Sequence, residues 1–236
     1  MEIILGILAL VTSMIAAVVG FGGGMLLIAF LPSFLAPSLI IPTHGLVQLA
    51  SNSSRMLFSI NKVRWELLPR FLIGSVLGSL VIGYGLSHIS MDYVPLGIGL
   101  YILLNLWNPR FSKAVSRYEN YYLIGFLQTG LGLVIGAPGP LALTVLTKQL
   151  KCKDEIIATS SLFMSISHLA KIPVYLVLSS ELLTDVSVIV IMVIGAVVGS
   201  YIGTKLRFKA NNAALVKIIK ILLTLLALRM IVEVLF

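Results

Sequence analysis

Between Pro42 and Arg55 the chain reads Pro42-Thr43-His44-Gly45-Leu46-Val47-Gln48-Leu49-Ala50-Ser51-Asn52-Ser53-Ser54-Arg55, a run of hydrogen-bonding side chains closed by a guanidinium. On a helix, His44, Gln48, Ser51 or Asn52, and Arg55 follow i, i+4, i+7/8 and i+11 and share one face. Such a face supplies donors and a fixed positive charge without a carboxylate, which is the chemistry of holding an anion. A second face of the same kind follows as Ser160, Met164, Ser167 or His168, and Lys171. Both cations stand well inside apolar sequence. A basic side chain at that depth of a bilayer costs at least ~2.5–3.5 kcal/mol on insertion scales, which makes it a functional-site candidate.

Plainer readings stand beside this one. Arg55 could reach an interface, or satisfy carbonyls freed by a nearby Gly-rich turn. His168 could be a hydrogen-bonded packing residue, and His44 an interfacial histidine or an entrance residue at the outer end of its helix. Ser51, Ser53, Ser54, Ser161, Ser165 and Ser167 could each pack against helices or bond within their own. The acidic residues weigh the other way. All nine fall in loops or near segment ends, so no carboxylate can be placed with Arg55 or Lys171 in mid-membrane. That absence also argues against a carboxylate proton relay and a carboxylate-built sodium site. A coupled proton would fall to His168, His44 or the substrate.

The elements that must position these groups come in two copies. Shifted so that Gly20 falls on Gly136, the chain also places Gly23 on Gly139, Thr43 on Thr159, Ser51 on Ser167, Asn52 on His168 and Arg55 on Lys171. A slightly larger shift lays Gly74, Gly78 and Ser79 on Gly195, Gly199 and Ser200. The Gly74/Gly78 and Gly195/Gly199/Gly203 runs predict close helix packing. Segments 25–37 and 140–150 are too short to span a bilayer, which takes about 20 residues. Each follows a cluster, Gly20 to Gly24 or Gly136-Ala137-Pro138-Gly139-Pro140. With Gly costing about 1 and Pro about 3 kcal/mol inside a helix, neither cluster belongs to a continuous one. Gly22, Gly23, Gly24, Pro138, Gly139 and Pro140 are therefore expected to line a site, with the half-helix N-termini beyond them favouring anions.

Charge chooses the topology. If each broken segment crosses the membrane once, Lys62, Arg64, Arg70, Arg110, Lys113 and Arg117 fall on one face and Lys148, Lys151, Lys153, Lys205, Arg207 and Lys209 on the other. If each is a hairpin that enters and leaves on one face, all of these share a face. Glu2, His88, Asp92, Glu181 and Asp185 then lie opposite. The positive-inside rule selects the hairpins. The expected fold is an all-α integral membrane protein of two inverted-topology repeats, 1–110 and 111–236. Each repeat is a Gly/Pro-broken re-entrant helical hairpin plus three transmembrane helices. Trp65, Trp107, Tyr118, Tyr121 and Tyr122 are expected at the cytoplasmic interface. Duplicated halves with broken segments at equivalent places are the signature of a transporter whose site lies between them.

Composition agrees: 58% hydrophobic and 11% charged residues, with mean hydropathy +1.06, leave the lipid bilayer as the expected medium. The start, Met1-Glu2, lacks the basic leader of a secretory signal and is expected to be mature sequence. The formal charge of +8 reads as cytoplasmic basic loops rather than a nucleic-acid surface. One cysteine, Cys152, excludes an internal disulfide and a Cys-based metal cluster. No paired acid, His-rich metal spacing, serine elbow or phosphate loop is present, so neither an enzyme nor a metal or cofactor site is expected. A small anionic substrate is the expected partner; a proton and a second copy of the chain are kept as candidates. A passive anion channel, a permease for a small carboxylate or neutral solute, a cation permease and a structural scaffold are the rival classes.

The run Gly20 to Gly24 with Met25-Leu26, the Pro42–Arg55 helix, and their counterparts Gly136 to Pro140 and His168…Lys171 resemble the TauE/SafE family of sulfite exporters and related anion permeases. The resemblance covers essentially the whole chain. It implies transport of sulfite, sulfonates or related organic acids across the bacterial inner membrane. The resulting expectation is a secondary transporter working by alternating access. Arg55 and Lys171 would neutralise the anion and Asn52, His168 and the neighbouring serines would hydrogen-bond it.

Overall fold

The computed structural model describes residues 1–20, 22–86, 88, 90–115, 119–137, 141–178, 186–206 and 212–235. Among them the regular elements are all helical: α1 (Glu2–Val19), α2 (Gly23–Phe30), α3 (Pro37–Leu57), α4 (Leu68–Leu86), α5 (Val94–Trp107), α6 (Pro109–Val115), α7 (Tyr121–Ile135), α8 (Leu141–Gln149), α9 (Lys153–Leu178), α10 (Val186–Leu206) and α11 (Asn212–Leu235). Three spans, Glu2–Val19, Trp65–Leu86 and Val186–Leu206, are long and apolar enough to cross a membrane. α3 and α9 are as long, but their His, Gln, Asn and Ser faces are buried inside the molecule. α4 turns Leu72, Ile73, Val76, Leu77, Leu80, Val81 and Tyr84 outward, an apolar surface suited to lipid and not to water. The chain is a membrane protein.

The breaks fall where the glycines do. α1 ends at Gly20 (φ 96°) and α2 is preceded by Gly22 (φ 89°), both left-handed, a conformation glycine adopts without a Cβ penalty. α7 ends on Gly136 at φ 71°. Beyond the first turn α2 folds back onto α1: a methyl on Gly23 would stand 1.9 Å from Thr12 O and 2.7 Å from Ala16 Cβ.

Helix directions can be read from contact registers. On α1 and α10, Gly6 meets Gly195, Leu10 meets Gly199 and Met14 meets Gly203, so the two run parallel at backbone distance. α3 follows α10 in the same sense, with Ser51 on Ser200 and Phe58 on Tyr201. α4 and α7 repeat the arrangement through Phe71/Gly125, Gly74/Tyr122 and Gly78/Phe126, and α9 runs along α4 through Ser79/Ala170 and Gly83/Val174. α3 and α9 cross in opposite senses, His44 on His168 and Ser53 on Ser165. α5 and α11 are likewise antiparallel, Gly99 on Ala227 and Trp107 on Thr224. The glycine runs are thus helix contact surfaces: a methyl on Gly74 would lie 1.9 Å from Tyr122 O and one on Gly199 2.0 Å from Leu10 O.

Two details differ from the sequence expectation. Residues 109–115 of the basic connection form α6, started by Pro109 and by Asn108 Oδ1 accepting from Phe111 N at 3.0 Å. Tyr121 is not an interfacial residue. It is buried edge-on against Phe163, and its hydroxyl donates to Gln149 Oε1 at 2.7 Å. Trp65, Trp107 and Tyr122 are exposed, while Tyr118 lies outside the described residues.

Candidate functional site

The crossing of α3 and α9 lies against the α1–α2 turn, and a cavity of about 40 Å³ opens there. It has room for more than one water-sized group, since a single water needs roughly 10–15 Å³ on this measure. α3 contributes His44, Gln48, Asn52 and Arg55, one turn apart; α9 contributes Ser160, Ser161, Met164 and His168. α1 adds Ala16, the α1–α2 turn adds Gly20 and Gly22, α2 adds Gly24 and Met25, and Ala137 follows the end of α7. Among the described residues the lining holds no Asp or Glu, and no described acidic residue anywhere is buried. The ion pairs of Arg64 with Glu66 and Glu155, Lys148 with Glu119 and Arg229 with Glu233 are on the outside.

The ambiguity at i+7/8 is resolved by packing. Asn52 faces the cavity, while Ser51 faces α10 and bonds Ser200 Oγ at 3.0 Å. On α9, His168 faces the cavity, while Ser167 faces α7 and meets Thr129 Oγ1 at 3.0 Å and Gln128 Nε2 at 3.2 Å. Gln128 Oε1 in turn accepts from Ala142 N at the start of α8 at 3.0 Å. Neither Ser51, Ser167 nor Gly23 lines the cavity; Gly23 serves the close approach of α2 to α1. Pro138, Gly139 and Pro140 lie outside the described residues, as do Glu181, Asp185, Arg117, Arg207 and Lys209.

Both cations are buried, and both bind the C-terminal end of the helix that precedes their own half's turn. Arg55 Nη1 donates to Ala16 O at 3.0 Å and Nε to Ser51 O at 3.4 Å, and Nη2 donates to Asn52 Oδ1. Lys171 Nζ donates to Gly136 O and meets His168 Nδ1 at 3.1 Å. A positive charge at a helix C-terminus is favourable, which accounts for part of each cation's placement. Arg55 also lines the cavity, whereas Lys171 stands behind His168 and reaches the cavity through it.

His44 is fully buried, its Nε2 2.9 Å from Gly24 O and its ring edge-on to His168 with centroids 5.5 Å apart. It is not at an outer end: Gly45 passes close enough to α9 that its methyl would touch Lys171. Asn52 Nδ2 donates to Gln48 O at 2.7 Å and to Gln48 Oε1 at 3.4 Å. Three lining residues keep a buried atom with no partner in the protein: His44 Nδ1, Gln48 Nε2 and His168 Nε2. Buried polar atoms are rarely left so, and three around one cavity make it the candidate site. Ala16 lines the cavity without having been singled out in the sequence, whereas Met25 and Ala137, which also line it, were named there only as parts of the two Gly-rich clusters. Ala16 stands one turn before Gly20, and a small residue at that spacing is the signal that could have found it.

The family model described as sulfite exporter TauE/SafE matches residues 5–230. No curated protein and no solved structure matches the chain. The match takes in every element around the cavity, and the chain belongs to the TauE/SafE sulfite exporter family, a family of membrane transporters for sulfur-containing anions.

Proposed function

We propose that the protein is a secondary transporter that carries a small sulfur-containing anion, sulfite or an organosulfonate, across the bacterial inner membrane. The observation that carries this reading is the cavity at the α3–α9 crossing. It combines a buried guanidinium, three unpartnered polar atoms and no described carboxylate. Arg55 neutralises the anion, His168 and Gln48 donate to it, Asn52 fixes the guanidinium, and Lys171 orients His168. The start of α2, at Gly22 and Gly24, adds backbone N–H groups and the positive end of a helix dipole.

Residues 1–110 and 111–236 form two inverted repeats in this reading. Support comes from the opposed senses of α3 and α9 and from the exchanged pairing of α1 with α10 and of α7 with α4. The like placement of Arg55 on Ala16 and Lys171 on Gly136 supports it too. Each repeat carries half of the cavity, so movement of one against the other exposes the anion to alternate faces.

The test is binding of sulfite, sulfate, thiosulfate, sulfoacetate and acetate to purified protein, with Arg55→Gln and Lys171→Gln. A charge-assisted hydrogen bond is worth about 1.5–3 kcal/mol, so Arg55→Gln should weaken the preferred anion roughly ten- to hundredfold. Lys171→Gln should weaken it less, since it acts through His168. No binding of any of these anions, or binding untouched in both variants, sinks the proposal. In proteoliposomes saturable flux with counterflow is expected; flux without saturation or counterflow would make the protein a channel.

A further inference from the structure

The hydrogen-bonding sense of the two histidines follows from what their other nitrogens touch. Gly24 O can only accept, so His44 Nε2 carries the proton of their 2.9 Å contact, and the neutral ring is left with a bare Nδ1 lone pair. The Lys171 ammonium can only donate, so His168 Nδ1 accepts at 3.1 Å and its Nε2 carries the proton. The two remaining ring nitrogens, His44 Nδ1 and His168 Nε2, are the buried atoms without a protein partner. The third such atom, Gln48 Nε2, belongs to an amide whose Oε1 already accepts from Asn52. Apart from the Ser160 and Ser161 hydroxyls, which turn either way, the cavity therefore offers donors from His168, Gln48 and Arg55, and a fixed acceptor at His44 Nδ1.

A fully deprotonated oxyanion has only acceptors and would set a lone pair against that of His44 Nδ1. We propose that the site takes the singly protonated form of a small oxyanion. Its hydroxyl donates to His44 Nδ1, and its charged oxygens accept from His168 Nε2, Gln48 Nε2 and Arg55. The inference rests on the anion reading above and adds the protonation state of the ligand to it. The groups facing His44 that carry or can take charge are Lys171 and His168 from α9 and Arg55 along its own helix; α2 contributes none.

The experiment compares sulfite with methanesulfonate, which keeps one negative charge and has no O–H, by calorimetry on the purified full chain. Titrations bracket the second ionisation of sulfite. Above that ionisation the affinity for total sulfite should fall about tenfold per pH unit, because only the hydrogen form binds. Methanesulfonate should stay level over the same range and bind at least about tenfold more weakly than hydrogen sulfite, for want of the hydroxyl. His44→Asn, which keeps an acceptor near the position of Nδ1, should retain the preference for sulfite. His44→Leu should remove it, bringing the two probes together. Sulfite affinity that does not fall with pH, or methanesulfonate bound as well as sulfite by the wild-type chain, overturns the inference and leaves the anion site standing. Failure of both probes at every pH overturns the anion reading with it.

Discussion

Arg55 reaches the cavity only because its neighbours hold it there. Its fork is divided between Asn52 Oδ1 on its own helix and Ala16 O at the end of α1. In the proposed site Asn52 is a positioning residue whose amide spans from Gln48 to the guanidinium, while Ser51, one residue away, bonds α10. The two should separate cleanly on mutation. Asn52→Ala should weaken the anion about tenfold, by releasing a charge-assisted bond worth roughly 1.5 kcal/mol or more. Ser51→Ala should leave affinity within twofold and cost the fold about 0.6 kcal/mol, the mean for such interhelical bonds in a membrane. Calorimetry for binding and thermal unfolding in detergent for stability read the two effects; the reverse ranking would assign the polar face of α3 differently. Periodicity brought His44, Gln48 and Arg55 to one face but left Ser51 and Asn52 equivalent, because 3.6 residues per turn puts both near its edge. What separates them is α10, and sequence spacing carries no information about which neighbour lies where. The same holds for His44, expected near an outer end and found against His168, because depth along a helix depends on where the crossing partner sits.

At the scale of the helix, glycine sets how close the elements come, and closeness sets the cavity. α1 and α10 touch backbone to backbone through Gly195, Gly199 and Gly203, and α4 and α7 do so through Gly74, Gly78 and Gly125. Without a hydrophobic drive between helices in lipid, such packing is much of what associates them. Gly199→Leu places its Cβ 2.0 Å from Leu10 O, against rigid backbone, and should prevent assembly or lower the unfolding temperature sharply. Gly85→Ala is the control: nothing lies within 4 Å of its Cβ, and the exchange should stabilise α4 by about 0.5–1 kcal/mol. Equal effects of the two would mean that the glycine runs do not carry the contact. These runs and the broken segments were legible because Gly and Pro leave a local trace in any helix. The parallel pairing of α1 with α10 left none, since two apolar helices read alike whichever partner they meet. α6 was hidden for a different reason: Asn108-Pro109 is a cap signal, but the segment is short and basic and lacks an apolar period.

For the molecule as a whole the question is which way the two halves face. α1 and α3 both run with α10, so the chain reverses between them, and α2 makes the return. α7 and α9 both run with α4, and α8 makes the equivalent return. In the proposed topology that geometry keeps Lys62, Arg64, Lys148, Lys151 and Lys153 on one face, as the positive-inside rule asks. It also separates two exposed positions that a single crossing by each broken segment would put together. Cys152 follows α8 on the basic face, and His88 follows α4 on the opposite one. Because Cys152 is the only cysteine, the native chain is already a single-site reporter. A membrane-impermeant maleimide should label Cys152 in inside-out vesicles and spare it in intact cells. A chain carrying Cys152→Ser and His88→Cys should show the opposite pattern. Labelling of both sites from one side would mean that α7–α8, which with α5 lies between the two sites, crosses the membrane. The two faces of the cavity would then no longer be related by inversion, and alternating access by repeat against repeat would lose its geometric basis. Labelling from opposite sides leaves α7–α8 as a hairpin that enters and leaves on the basic face, as the proposed inverted repeat requires.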